Sequence, residues 1–157
     1  MTAATAHSRL VVAADAAATS RLGLALGAVA QAGDLVCLWG DLGAGKTHLA
    51  KAFAAGLGVT DTVTSPSFIL MAEYRGRLPL FHIDPYRLAS AEDVLAGGLI
   101  EERQREGVTL VEWPERLGDA LPAARLDVRI EGTGDDPRSI TLAAGSDAYR
   151  RYLEMAA

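Results

Sequence analysis

The chain has 157 residues, half of them hydrophobic, and a formal net charge of −5. That length fits one domain with its own core. The acidic balance, with only Lys46 and Lys51 as lysines, excludes strong independent nucleic-acid binding, which gains its affinity from counterion release. The single cysteine, Cys37, excludes a disulfide framework and fits a reducing cytosol. No secretory signal is expected in residues 1–18, whose apolar stretch is broken by Asp15. The longest uncharged apolar run, residues 22–32, is too short to span a bilayer. A soluble, cytoplasmic protein with no membrane partner is expected.

In chain order, residues 10–12 read as a short strand. Asp15 can cap a helix running to about Gln31, with Leu22, Leu26 and Val29 on one face and Gly33 as its stop. Residues 34–39 are an apolar strand, and residues 48–57 a helix. Residues 56–66 are rich in turn formers. Residues 68–74 and 78–83 form two strands, and the Arg75-Gly76-Arg77 link between them suggests a hairpin. Ser90 and Asp93 form a variant capping box that opens a helix near Ala91. Residues 108–111 are a buried strand ending at Glu112, and Pro114 starts a short helix. Residues 125–131 and 138–143 alternate as a strand pair around the turn 132–137. Residues 147–155 close the chain as a helix. With no repeat or linker, the pattern is one α/β domain over residues 1–157, a central sheet with parallel and antiparallel strands flanked by helices.

Residues 40–47 read Gly-Asp-Leu-Gly-Ala-Gly-Lys-Thr, a complete G-x-x-x-x-G-K-[ST] loop. The motif has physical meaning because a strand precedes it and a helix follows. The helix N-terminus then aims its N–H groups and positive dipole end at an anion. The glycines let Asp41, Leu42, Gly43, Ala44 and Gly45 curl around phosphate oxygens. Lys46, expected near the surface, reaches the β- and γ-phosphates, and the Thr47 hydroxyl ligates Mg²⁺. The pattern predicts a P-loop NTPase-like domain with ATP and Mg²⁺ as ligands.

Such a loop needs an acidic partner for its metal at the end of a neighbouring strand. Glu112 and Asp84 both qualify. Thr64, Ser65, Pro66 and Ser67 read either as a strand-entry turn or as a switch segment that senses the γ-phosphate. His82, Asp84, Tyr86 and Arg87 crowd four polar functions into one stretch, although a lone strand histidine is more often structural, and Arg87 reads either as a group that stabilises phosphate charge or as a structural ion pair. Trp113 beside Glu112 either shields the nucleotide site or fills core. His48, on the first turn of the helix, opposes the dipole if cationic and carries no catalytic assignment.

The phosphate loop, Thr64-Ser65-Pro66-Ser67-Phe68, His82-x-Asp84-x-Tyr86-Arg87 and Glu112-Trp113, in this order and spacing, resemble the TsaE (YjeE) family of bacterial ATPases. That family is needed for the threonylcarbamoyl modification of tRNA adenosine. The likeness runs from about Leu10 to Ile140. It implies that Leu42 to Thr47 hold the ATP phosphates, that Thr47 and Glu112 bind Mg²⁺, and that Asp84 supports hydrolysis through water or the metal. It implies switch segments at Thr64–Phe68 and His82–Arg87, and places Trp113 at the nucleotide. The implied partners are TsaD-like and TsaB-like proteins, with tRNA reached only through them. Ser67 and His48 stand where the family commonly has Thr, and Pro85 where it has an apolar residue.

Two rival functions share the loop. A small-molecule kinase would need an arginine-rich lid, for which Arg75, Arg77, Arg103 and Arg105 are available. A non-catalytic nucleotide-binding scaffold would need no lid. A GTPase is disfavoured, because a chain without asparagine has no Asn-Lys-x-Asp base reader and no Asp-x-x-Gly switch is present.

Overall fold

Continuous apolar runs and alternating ones sort this chain into two kinds of strand. In the computed structural model, residues 7–41, 43–61, 71–83, 105–118 and 121–155 are described. They form β1 (Ser8–Ala13), α1 (Ala16–Ala28), β2 (Leu35–Trp39), α2 (Lys46–Gly56), β3 (Met71–Arg75), β4 (Pro79–Ile83), β5 (Val108–Glu112), β6 (Leu126–Glu131), β7 (Arg138–Ala144) and α3 (Arg150–Met155). The strands make one sheet in the order β1-β7-β6-β2-β5-β4-β3. β2 runs parallel to β5 and β6, and β4 runs parallel to β5. These inner strands include the apolar run LVCLW and the wholly buried VTLVE, as expected where both faces of a parallel sheet are covered. The outer pairs β1–β7, β6–β7 and β3–β4 are antiparallel. There β6 alternates Leu126, Val128 and Ile130 inward with Asp127, Arg129 and Glu131 between them, which is the half-covered pattern.

One sheet face packs on the helices. Val36, Leu38, Val128, Ile140 and Leu110 meet Leu22, Leu26, Leu49, Phe53 and Tyr152 there. α1 and α2 approach closely because small residues line their contact. A Cβ on Gly27 would stand 2.1 Å from the Phe53 carbonyl oxygen, so no larger residue fits. A second cluster on the other face joins Leu35, Cys37, Ile83, Val111 and Leu117.

The mixed α/β sheet flanked by helices is as the sequence predicts. Several boundaries differ. α1 stops at Ala28 rather than Gln31. Its last carbonyls are taken by side chains: Arg77 donates to Gly27 O at 3.2 Å and to Ala30 O at 2.9 Å, and Arg151 Nε donates to Val29 O at 3.0 Å. Such capping ends a helix. α2 begins at Lys46 rather than His48. The closing helix divides into a 3₁₀ turn at Asp147–Tyr149 and α3. The expected helix near Ala91 lies outside the described residues.

Candidate phosphate and metal site

Strand β2 ends at Trp39 and the loop follows at once. Two neighbouring parallel strands, β5 and β6, flank β2, so the loop emerges at the middle of the sheet's C-terminal edge. This is where open α/β sheets place ligands. Gly45 caps α2 in the left-handed region, with φ 106°, and offers no side-chain cap. The first helical bond of α2 runs from Leu49 N–H to Gly45 O at 2.9 Å. The preceding first-turn amides therefore point along the axis into the loop. A Cβ built on Gly43 or Gly45 would meet no atom within 4 Å, so the concave side of the loop is open. Ala44 is buried and Asp41 exposed, which leaves the Ala44 contribution to its backbone. Leu42 lies outside the described residues.

Alternation along β5 puts Val108, Leu110 and Glu112 on the helix-covered face. Glu112 thus ends its row beneath the start of α2. It is 2% exposed. Thr47 Oγ1 donates to Glu112 Oε1 at 3.3 Å, and His82 Nε2 pairs with Glu112 Oε2 at 2.6 Å. The sequence pattern brings these three residues together from α2, β4 and β5. Burying a carboxylate without partners is costly, and here an imidazole and a hydroxyl share it. His82 is fully buried and acts on Glu112, so it orients the acid. Its Nδ1 has no hydrogen-bond partner among the described residues.

Thr47 and Glu112 fit a magnesium ion. Their oxygens converge, with Thr47 Oγ1 and Glu112 Oε1 3.3 Å apart. Mg²⁺ typically takes one or two protein oxygens and completes its shell with waters and phosphate oxygens.

Lys46 departs from expectation. It is not near the surface but 6% exposed, and its Nζ sits 3.1 Å from the centroid of the Trp113 ring. The ring face attracts the ammonium. Trp113 itself has φ 55° and ψ 50°. Among the described residues it is the non-glycine with positive φ, a strain of roughly 1–3 kcal/mol that persists where the surroundings impose it. Its backbone caps the 3₁₀ turn at Pro114–Arg116, which turns the ring back over the loop lysine.

Asp84, Tyr86, Arg87 and the segment Thr64, Ser65, Pro66 and Ser67 lie outside the described residues. The strand ends that lead to them do not. Met71 pairs with Ile83, and β4 runs parallel to β5 and hence to β2. Both strand ends therefore stand at the same edge of the sheet as the loop.

Two residues near the loop carried no functional assignment from the sequence. Arg138, the first residue of β7, donates from Nε to Ala44 O at 3.0 Å and from a terminal nitrogen to Gly134 O at 3.0 Å. His48 Nε2 lies 2.8 Å from Ser20 Oγ and 3.1 Å from Ala16 O. Nothing local in the sequence marks an arginine that reaches back 94 positions.

A glycine-rich loop between a central parallel strand and a helix, with an acid at the end of the adjacent strand, defines a P-loop NTPase-like α/β domain. The family model described as "Threonylcarbamoyl adenosine biosynthesis protein TsaE" matches residues 13–140. The chain belongs to the TsaE family. The TsaE protein of Bacillus subtilis is 45% identical over 128 residues, covering 81% of this chain and 80% of that protein. The Treponema pallidum TsaE protein is 42% identical over 125 residues, covering 80% and 93%. The crystal structure of Bacillus subtilis YdiB is similar with a TM-score of 0.77 and 36% identity, covering 95% of this chain and 93% of that one.

Proposed function

We propose that this chain binds Mg-ATP and hydrolyses it slowly, in the service of tRNA threonylcarbamoyladenosine synthesis. The relatives named above are biosynthesis proteins of that modification, and the same role is assigned here. The observation that carries the ATPase reading is the convergence of Lys46, Thr47 and Glu112 under an open glycine loop at the centre of the sheet. The first-turn amides of α2 bind the phosphates. Lys46 leaves the Trp113 ring for the β- and γ-phosphate oxygens. Thr47 and Glu112 hold the ion, and His82 keeps Glu112 turned toward it. When bound, Mg²⁺ neutralises charge that develops on the phosphate oxygens.

Glu112 and His82 are engaged with each other, so orientation of the attacking water falls to Asp84, which directly follows β4. Turnover by the chain alone is slow, because its site is incomplete without the partners. TsaD-like and TsaB-like partners raise it, and hydrolysis resets their complex between turnovers. Contact with tRNA is left to the partners, in keeping with a net charge of −5.

Of the four arginines offered as a lid for the kinase alternative, Arg103 lies outside the described residues and the other three stand away from the loop. Arg75 and Arg77 flank the β3–β4 turn, and Arg105 precedes β5. All three stand at the N-terminal edge of the parallel strands, opposite the loop, and Arg77 is bound to the end of α1.

Calorimetry tests the reading. Lys46→Ala is expected to weaken Mg-ATP binding by about a hundredfold, or roughly 2.7 kcal/mol. Its fold should survive, since the lost ring contact is worth about 0.5–2 kcal/mol. Wild-type affinity in the folded variant would overturn the site. Pull-down from the source extract with ATP should recover a TsaD-like protein; failure to recover one would overturn the partner assignment.

A further inference from the structure

We propose that the Trp113 ring and the phosphates compete for one ammonium, that of Lys46, so that Trp113 limits how tightly the loop binds polyphosphate. The inference rests on the reading that the loop holds ATP. The ammonium sits 3.1 Å from the centroid of the ring. Its Nζ is sealed from solvent, and the whole residue is 6% exposed. A phosphate oxygen has to come within hydrogen-bonding distance of that nitrogen. It cannot approach a covered atom, so either the lysine or the ring moves first.

The anchoring of the two side chains decides which one moves. Trp113 is held from both sides along the chain. Before it, Glu112 is bonded to His82 and Thr47. After it, Arg116 N–H donates to Trp113 O at 3.1 Å and Leu117 N–H to Pro114 O at 2.9 Å. Leu117 is fully buried and packs on the second apolar cluster. Such anchoring sustains the positive φ of 55° at Trp113, which a bulky residue does not keep without support. Lys46, by contrast, carries its charge on a flexible four-carbon stem. The concave side of the loop is open to it, since a Cβ on Gly43 or Gly45 would meet no atom within 4 Å. The lysine therefore swings and the ring stays.

The cost of that swing appears in the affinity. A ligand that binds a minor arrangement has its intrinsic affinity reduced by the population of that arrangement. Tryptophan offers the strongest cation–π contact, and exclusion of water strengthens it. Holding the lysine on the ring thus weakens polyphosphate binding by roughly 2- to 30-fold. A ring that stacked on the base, or that only filled space, would act in the opposite sense, and its loss would lower affinity.

Ring variants test the competition by calorimetry with inorganic triphosphate plus Mg²⁺, a probe that has phosphates and no base. Trp113 is half-buried, so Trp113→Leu should fold, which thermal melts check. Trp113→Phe keeps a smaller ring and carries the test where the leucine variant does not fold. Trp113→Leu is expected to bind triphosphate about tenfold tighter, and Trp113→Phe to gain less. In a Lys46→Ala background the gain should vanish, because no ammonium is left to compete for. A gain under about twofold in both ring variants, or weaker binding, would overturn the proposal. So would a gain that persisted without Lys46. A wild-type chain that bound neither Mg-ATP nor triphosphate would instead overturn the ATPase reading, and the two failures are thereby distinguished.

Discussion

The two ends of β2 both carry buried charge, and they differ in the groups that surround it. At the N-terminal end the Asp34 carboxylate accepts from Gln31 N–H at 2.9 Å, from the Arg151 guanidinium and from the Tyr152 hydroxyl. The Tyr149 hydroxyl accepts from Leu35 N–H at 2.9 Å. Burial and the neighbouring Asp34 push the Tyr152 hydroxyl up, so it stays a neutral donor. At the C-terminal end Glu112 has an imidazole and a hydroxyl 3.3 Å away. Lys46 rests on an aromatic face. In a low-dielectric interior a fully satisfied network is rigid, and each missing partner is costly. The first cluster therefore docks the chain's C-terminal segment under the sheet. The second sets the Glu112 carboxylate, the Thr47 hydroxyl and the Lys46 ammonium together beside the glycine loop.

Asp34→Ala breaks the comparison at its structural end. It strands a guanidinium, a hydroxyl and an amide, and removing one partner of a buried pair costs about 3–5 kcal/mol. The Arg151 side chain is 20% exposed, and water replaces part of its loss, so about 3 kcal/mol is expected from urea unfolding. Mg-ATP affinity of the folded variant should stay within about twofold, because distant sites add independently. A loss of stability below about 1 kcal/mol would show that the cluster is not what docks the segment.

Glu112→Gln is the converse test. The amide keeps one oxygen and the residue's shape, so stability should change by about 1 kcal/mol or less. The Mg²⁺ enhancement of ATP binding should fall about tenfold, since a neutral amide is a weak magnesium ligand. An unchanged Mg²⁺ titration would move the metal role to Asp84.

These contrasts also explain what could be read from the sequence. The loop, its strand and its helix were legible because Gly, Lys and Thr at fixed spacing have one geometric use there. Glu112 was legible as a candidate because a phosphate loop needs an acid at the end of a neighbouring strand, and the structure sets it beside Thr47. The strand pair β6–β7 followed from its alternation. Three features were not legible. The stacking of Lys46 on Trp113 depends on a backbone conformation that a bulky residue rarely adopts. The early end of α1 depends on Arg77 and Arg151, which arrive from 50 and 122 positions away. The Asp34 cluster joins residues 117 and 118 positions apart. Local patterning specifies elements, whereas such contacts exist only once the sheet has assembled.

The smallest expected effect concerns Cys37, midway along β2 between the two clusters. Its side chain packs on the face away from the loop helix, with Leu35, Ile83, Val111 and Leu117. Burial, reinforced by the Asp127 carboxylate, pushes its thiol from 9.0 up to about 12. Between these values the unfolded chain releases the thiol proton and the folded chain keeps it. The unfolded state then binds fewer protons, so stability falls as pH rises. Below about pH 9 the group contributes no pH dependence, and above it the slope is at most about 1.4 kcal/mol per pH unit. Tyr149 and Tyr152, raised from 10.0, add to the decline only from about pH 10 upward. Urea unfolding of the wild type and Cys37→Ala at about pH 8, 9 and 10 separates these groups, and the variant should lose roughly 1 kcal/mol less between pH 9 and 10. Parallel pH profiles would mean that the thiol ionises alike in both states, so that the strand carrying the loop is open to water at its centre.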